Sequence, residues 1–162
     1  MEQVLPSVLD HYGDASIRFI LHTFPLPYHQ WSFFANQGAH VAAAMSPTLP
    51  PAQAAYAWQR TVFENQDAFG NAATMNMSQA DVIAAFAKLA PASVGVSAAD
   101  FSAGIANATL NEDTRVSWKY GCYRSVSGTP TVLLNGIATQ AGPEWTFDDW
   151  IQFLDPYING QA

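Results

Sequence analysis

The spacing of apolar residues at both ends of the chain predicts short, clearly bounded elements. Residues 2–12 predict a helix, and Pro6 is acceptable there only in the first turn. Its apolar face would consist of Val4, Leu5, Val8 and Leu9. Residues 17–21, with the sequence Ile-Arg-Phe-Ile-Leu, predict a short buried strand, because β-branched and aromatic residues favour strands.

The middle of the chain predicts helices. Apolar residues recur at helical spacing from Trp31 to Met45, and a second helix extends from the proline-rich segment 47–51 to about Phe69. A further helix is predicted over 112–124. Three other helices should begin where Ser or Thr is followed three residues later by Asp, a spacing that lets the hydroxyl cap the first turn. These pairs are Ser78/Asp81, Ser97/Asp100 and Thr146/Asp149.

The last part of the chain returns to strands. Residues 130–135 predict a strand, Asn135-Gly136 predicts a hairpin turn, and 137–140 would be the partner strand. A final helix should end before Pro156. Since no repeat, linker or low-complexity tract interrupts this order, we expect a single domain over 1–162.

Composition narrows the function classes. Hydrophobic residues make up 49% of the chain and charged residues 12%. The net charge is −7 with only six Lys and Arg, which argues against a nucleic-acid partner. No apolar run approaches the ~20 residues of a membrane span, and no signal peptide is visible at the start, so the sequence predicts a soluble protein of unknown compartment.

Few residues are candidates for a catalytic or metal-binding role. Cys122 is the single cysteine, so the chain cannot form a dithiol. Cys122 is a candidate reactive thiol, but a cysteine at the end of an amphipathic helix is more often a small buried residue. The four histidines are not spaced as metal ligands usually are, so the sequence predicts no metal or cofactor. No residue can be identified as catalytic from the sequence. Phe33, out of phase with its aromatic neighbours, is expected to face a groove or a partner.

Three segments, in this order, resemble the DsbA-like branch of the thioredoxin-fold proteins. Residues 24–29 read Phe-Pro-Leu-Pro-Tyr-His, residues 63–69 read Phe-Glu-Asn-Gln-Asp-Ala-Phe, and residues 119–130 run from Lys-Tyr-Gly-Cys-Tyr-Arg to Gly-Thr-Pro. The chain looks most similar to eukaryotic DsbA-like proteins of unassigned function. The resemblance implies an α/β, thioredoxin-like fold with an inserted all-helical subdomain over about 28–124.

The same resemblance implies a site. In such proteins a cis-proline loop faces the substrate, which here predicts a cis Thr129–Pro130 bond. The implied groove residues are Ser127, Gly128, Thr129, Pro130, His22, Tyr28 and His29. The alternative is a purely structural role, in which Pro130 shapes a turn and the histidines form structural hydrogen bonds.

The chain also departs from the family pattern. The first core strand and the Cys-x-x-Cys turn are expected before the first helix, and this chain begins inside that helix. The resemblance therefore implies an N-terminally truncated fold that lacks its central strand. The missing central strand has three possible explanations: the chain is a truncated form of a longer protein, 17–21 pairs directly with 130–135, or another chain supplies the strand.

Two functions follow from this pattern. The first is a non-catalytic module that binds a protein or peptide, or a subunit of an assembly, including a homodimer. The alternative is an enzyme related to thiol-disulfide oxidoreductases whose catalytic turn is missing from this chain.

Overall fold

A computed structural model describes residues 4–160, which form seven α-helices, one short 3-10 helix and a two-stranded hairpin. In chain order they are α1 (Val4–Tyr12), α2 (Ser32–Met45), α3 (Pro51–Glu64), the 3-10 helix (Gln66–Phe69), α4 (Gln79–Val94), α5 (Ala98–Ala106), α6 (Ala108–Tyr123), β1 (Leu133–Leu134), β2 (Ile137–Ala138) and α7 (Phe147–Ile158). The chain divides into two compact units. The helical unit is His22–Ser125, and the terminal unit comprises residues 4–21 and 126–160.

The helical unit is built around Trp58. This side chain is 0% exposed, and its indole Nε1 donates to the Ala35 carbonyl at 2.8 Å. Its ring lies 4.5 Å from that of Phe101 and 6.2 Å from that of Phe86. A Cβ added at Gly38 would collide with the indole, so the absence of a side chain there lets α2 and α3 approach closely.

The two helix starts predicted in this unit from the Ser78/Asp81 and Ser97/Asp100 pairs are confirmed. The Ser78 hydroxyl accepts from the Asp81 N–H at 3.2 Å, while the Asp81 carboxylate accepts from the Ser78 N–H at 3.0 Å. These bonds satisfy donors that the first turn of α4 leaves unpaired. Helix α6 begins earlier than predicted, because the Asn107 side chain caps it by accepting from two backbone N–H groups.

We expect Ser78→Ala to lower the free energy of unfolding by about 1 kcal/mol, since the cap on α4 is lost. Urea denaturation followed by circular dichroism measures this change. The matched control is Ser102→Ala, which removes an exposed mid-helix hydroxyl bonded to the Ala98 carbonyl and should change stability by less than about 0.5 kcal/mol. Equal losses for both variants would contradict the capping role.

The cap also carries a pH dependence. The side-chain and backbone hydrogen bonds from Ser78 lower the pKa of Asp81 below its ordinary value. A carboxylate whose pKa is lower in the folded state stabilises the fold at neutral pH. That contribution is lost as the pH falls through the lowered pKa.

The terminal unit has its own core, formed by Val8, Ala141, Trp150 and Leu154. Helix α1 packs on α7, and the Tyr12 hydroxyl donates to the Asp155 carboxylate at 2.8 Å. Helix α7 continues through Pro156 to Ile158, so the predicted end before Pro156 is wrong. Proline removes the N–H partner of the Gln152 carbonyl and crowds that carbonyl, but Pro156 lies in the last turn of α7 and Gln152 is exposed, so water can replace the lost partner.

The hairpin is where the sequence predicts it, but it is short. Asn135 and Gly136 both have positive φ, 49° and 82°, as a two-residue hairpin turn requires. Leu134 pairs with Ile137 in antiparallel register. Each strand has two residues, fewer than the predicted 130–135 and 137–140.

The prediction of a buried strand over 17–21 is wrong. This segment has no regular secondary structure, and residues 18–21 are exposed. A strand exists only through hydrogen bonds to a neighbouring strand, and the sheet formed by residues 4–160 contains β1 and β2 alone. Direct pairing of 17–21 with 130–135 is therefore not what this fold adopts.

No helix in the described part of the chain is long and apolar enough to cross a membrane.

Candidate functional site

One half of the predicted site is the loop that leads into β1. Ser127, Thr129 and Pro130 are exposed and Gly128 is half-buried. The Thr129–Pro130 peptide bond is cis. The Thr131 hydroxyl donates to the Gly128 carbonyl at 2.7 Å, which closes the loop on itself. These four predicted residues thus lie together on one exposed turn of the terminal unit.

The hairpin behind this loop leaves an open edge. The Val132 carbonyl accepts from both the backbone N–H and the hydroxyl of Thr139, at 2.9 and 3.1 Å. These bonds fix β1 against β2 on one side. In a two-stranded sheet the other side of β1 is an edge whose backbone groups can pair with a further strand.

The segment 17–21 belongs to the same unit and supplies apolar surface. Ile17, Val132 and Leu134 all pack against the core of the terminal unit. After Ile17 the chain leaves that core: Ile20 is 56% exposed and Leu21 is 43% exposed. Among residues 4–160, the backbone groups of Arg18, Ile20 and Leu21 form no backbone–backbone hydrogen bond. Ile20 and Leu21 therefore offer exposed apolar side chains on backbone that is not part of a strand in the described residues.

The other half of the predicted site lies in the helical unit. The ring of His22 lies 4.7 Å from that of Tyr120 on α6. Tyr28 and His29 are exposed neighbours with ring centroids 4.9 Å apart. Asn71 holds the turn that carries them: it donates to the Tyr28 carbonyl at 2.8 Å and accepts from the Gln30 N–H at 3.0 Å.

The predicted residues thus form separate groups. The four loop residues lie together in the terminal unit, Tyr28 and His29 share a turn of the helical unit, and His22 packs on α6 of that unit. A single groove formed by all seven stays a prediction.

No group of three or more potential metal-binding side chains occurs in the described ranges. His40, half-buried on α2, has a pKa lowered by burial and partly restored by Asp113.

The prediction of a buried Cys122 is wrong, because this cysteine is exposed. The helix phase explains the difference. Gly121 is the buried residue of this turn of α6, and a Cβ there would collide with the Phe24 ring. The next residue points about 100° away around the helix, which directs Cys122 outward.

A groove in the helical unit was not predicted as a whole. It has a volume of about 560 Å³ and is lined by residues of the 25–33 segment, including Phe33 and the predicted site residue His29, and by Asn111, Arg115 and Trp118 of α6. The expectation that Phe33 faces a groove is confirmed. We call this feature the α6 groove. Its two walls are some 80 residues apart in sequence, so no local pattern could have revealed it.

The loop, the hairpin and the helical unit are consistent with a thioredoxin-like fold that carries a helical insertion. The chain is similar in structure to a Pseudomonas syringae protein provisionally designated a protein-disulfide isomerase. The TM-score is 0.76 and the identity 17%, over 93% of this chain and 82% of the other. No protein-family model and no curated protein matches the sequence.

Proposed function

We propose that this chain is the polypeptide-binding part of a protein related to the thiol-disulfide oxidoreductases. The designation of the structurally similar bacterial protein supports the oxidoreductase part of this proposal. The binding part rests on one observation: the terminal unit exposes Ile20 and Leu21 close in sequence to Ile17 of its core, and Arg18, Ile20 and Leu21 form no backbone–backbone hydrogen bond among the described residues.

Strand addition is the binding mode that this observation favours. An extended polypeptide that pairs with an open strand edge gains main-chain hydrogen bonds, while alternate side chains enter apolar contacts. Residues 18–21 and the open edge of β1 offer both kinds of contact within one compact unit. The preferred ligand is therefore an extended, partly apolar stretch of an unfolded protein, as a disulfide-exchange substrate would present.

The redox chemistry cannot be completed by these 162 residues. Disulfide transfer by a dithiol mechanism needs an attacking thiolate and a resolving thiol, and Cys122 is the single cysteine. In this proposal the redox-active pair is supplied by a further segment of the same protein or by a partner.

We expect the chain alone to show no catalysis of insulin reduction or of oxidative refolding, for the same reason. Cys122→Ser should behave as the parent chain does in both assays. Turnover above background that disappears in Cys122→Ser would overturn this expectation and would point to a mechanism with one thiol.

The second candidate function is a non-catalytic module that binds a protein or peptide. The single cysteine favours it. Sequencing the complete transcript separates the two candidates. An in-frame strand followed by a cysteine-containing turn ahead of Met1 supports the oxidoreductase, whereas a transcript without one leaves the binding module.

Several finer points of the sequence stay predictions. These are membership of the eukaryotic DsbA-like branch, the truncated first strand, the single domain over 1–162, and a homodimer as one alternative to a peptide partner.

A further inference from the structure

We propose that the α6 groove of the helical unit binds a small apolar carboxylic acid. The claim is independent of polypeptide binding by the terminal unit, because every residue that lines this groove lies within His22–Ser125. It rests on the apolar walls, the local charge and the size of the groove.

The walls are largely apolar. Pro25 and Leu26 are buried at one side, where the Ser32 hydroxyl donates to the Leu26 carbonyl at 3.0 Å and holds the segment to the start of α2. Phe33 and Trp118 also line the groove. The aromatic side chains of Phe33 and Trp118 among these lining residues favour an apolar ligand body that can stack on them.

The charge in the groove is opposite to that of the chain. The chain has 13 Asp and Glu against six Lys and Arg, yet the lining contains Arg115 and no Asp or Glu. A ligand with a negative group is therefore favoured at this place.

Arg115 is incompletely neutralised. Its Nη1 lies 3.4 Å from one oxygen of Glu112, and the Lys119 ammonium lies 3.5 Å from the other oxygen. One carboxylate is thus shared by two cations at long distances, which leaves one net positive charge. A guanidinium has five N–H donors in a plane suited to a carboxylate, and the amide of Asn111, one helical turn before Arg115, adds a neutral donor to the lining.

The volume sets the ligand size. About 560 Å³ falls within the range of small-molecule sites and suits a ligand of one or two rings. The combination of a largely apolar lining with one arginine favours an aromatic or similarly compact carboxylic acid over a sugar or a metal ion.

The test compares two probes by isothermal titration calorimetry: 2-naphthoate and its neutral analogue 2-naphthalenemethanol. We expect 2-naphthoate to bind with a dissociation constant of about 1 mM or tighter, and the alcohol to bind at least about fivefold more weakly. Arg115→Gln should weaken 2-naphthoate by about fivefold, a modest factor because this side chain is half exposed, and should leave the alcohol unchanged.

The matched control is Arg60→Gln, which removes another exposed arginine that is paired with a glutamate on its own helix. It should not change the binding of either probe. Trp118→Ala should weaken both probes. The proposal is overturned by equal affinities for the acid and the alcohol, by an unchanged affinity of Arg115→Gln for 2-naphthoate, or by no saturable binding of 2-naphthoate up to about 5 mM.

Discussion

Trp58→Ala is expected to lower the free energy of unfolding by about 3–5 kcal/mol, the largest effect of any single change considered for this protein. The side chain is 0% exposed and joins α2, α3 and α5 in one packed cluster. Its removal leaves a cavity beside Gly38 and deprives the Ala35 carbonyl of its indole donor. Urea denaturation followed by circular dichroism measures the loss.

The matched control is Trp118→Ala. This tryptophan is 41% exposed, so its removal exposes little new core surface and should cost about 1 kcal/mol or less. Equal losses for the two variants would show that Trp58 is not the centre of the helical core.

Ile20→Lys is expected to weaken polypeptide binding by the terminal unit by about tenfold, since it removes apolar contact and places a charge on the proposed edge. The ligand is a fluorescein-labelled peptide of alternating Val and Thr with lysines at both ends, and fluorescence anisotropy gives the affinity. Because Ile20 is already 56% exposed, the substitution should change the free energy of unfolding by less than about 0.5 kcal/mol.

Val116→Lys is the matched control, because Val116 is 54% exposed but lies on α6 of the helical unit. It should leave the affinity for the peptide unchanged. A second control is the same peptide with an N-methyl group on every Val and Thr, which removes all their main-chain donors and should abolish binding. Equal binding of the methylated peptide would contradict strand addition even if Ile20→Lys weakened the affinity.

The helix starts could be predicted because their determinants are local. Ser78 and Asp81, or Thr146 and Asp149, satisfy each other within one turn, so four consecutive residues contain the whole interaction. The hairpin turn is local in the same sense, because Asn135 and Gly136 tolerate the positive φ that the turn requires.

The errors have non-local causes. The composition of residues 17–21 is that of a strand, but a strand depends on a partner that the local sequence does not contain. The exposure of Cys122 depends on the phase of α6, which is set by the contact between Gly121 and Phe24, nearly 100 residues apart. The α6 groove likewise depends on packing between the 25–27 segment and Arg115 and Trp118.

Amide hydrogen exchange of residues 18–21, with and without the alternating Val/Thr peptide, tests strand addition most directly. In the free chain the amides of Arg18, Ile20 and Leu21 should exchange rapidly, because no backbone hydrogen bond protects them within the described residues. Saturating peptide should slow exchange at alternate positions of this segment, as expected for a newly paired edge. Peptide that binds without protecting any of these amides would contradict strand addition at this segment.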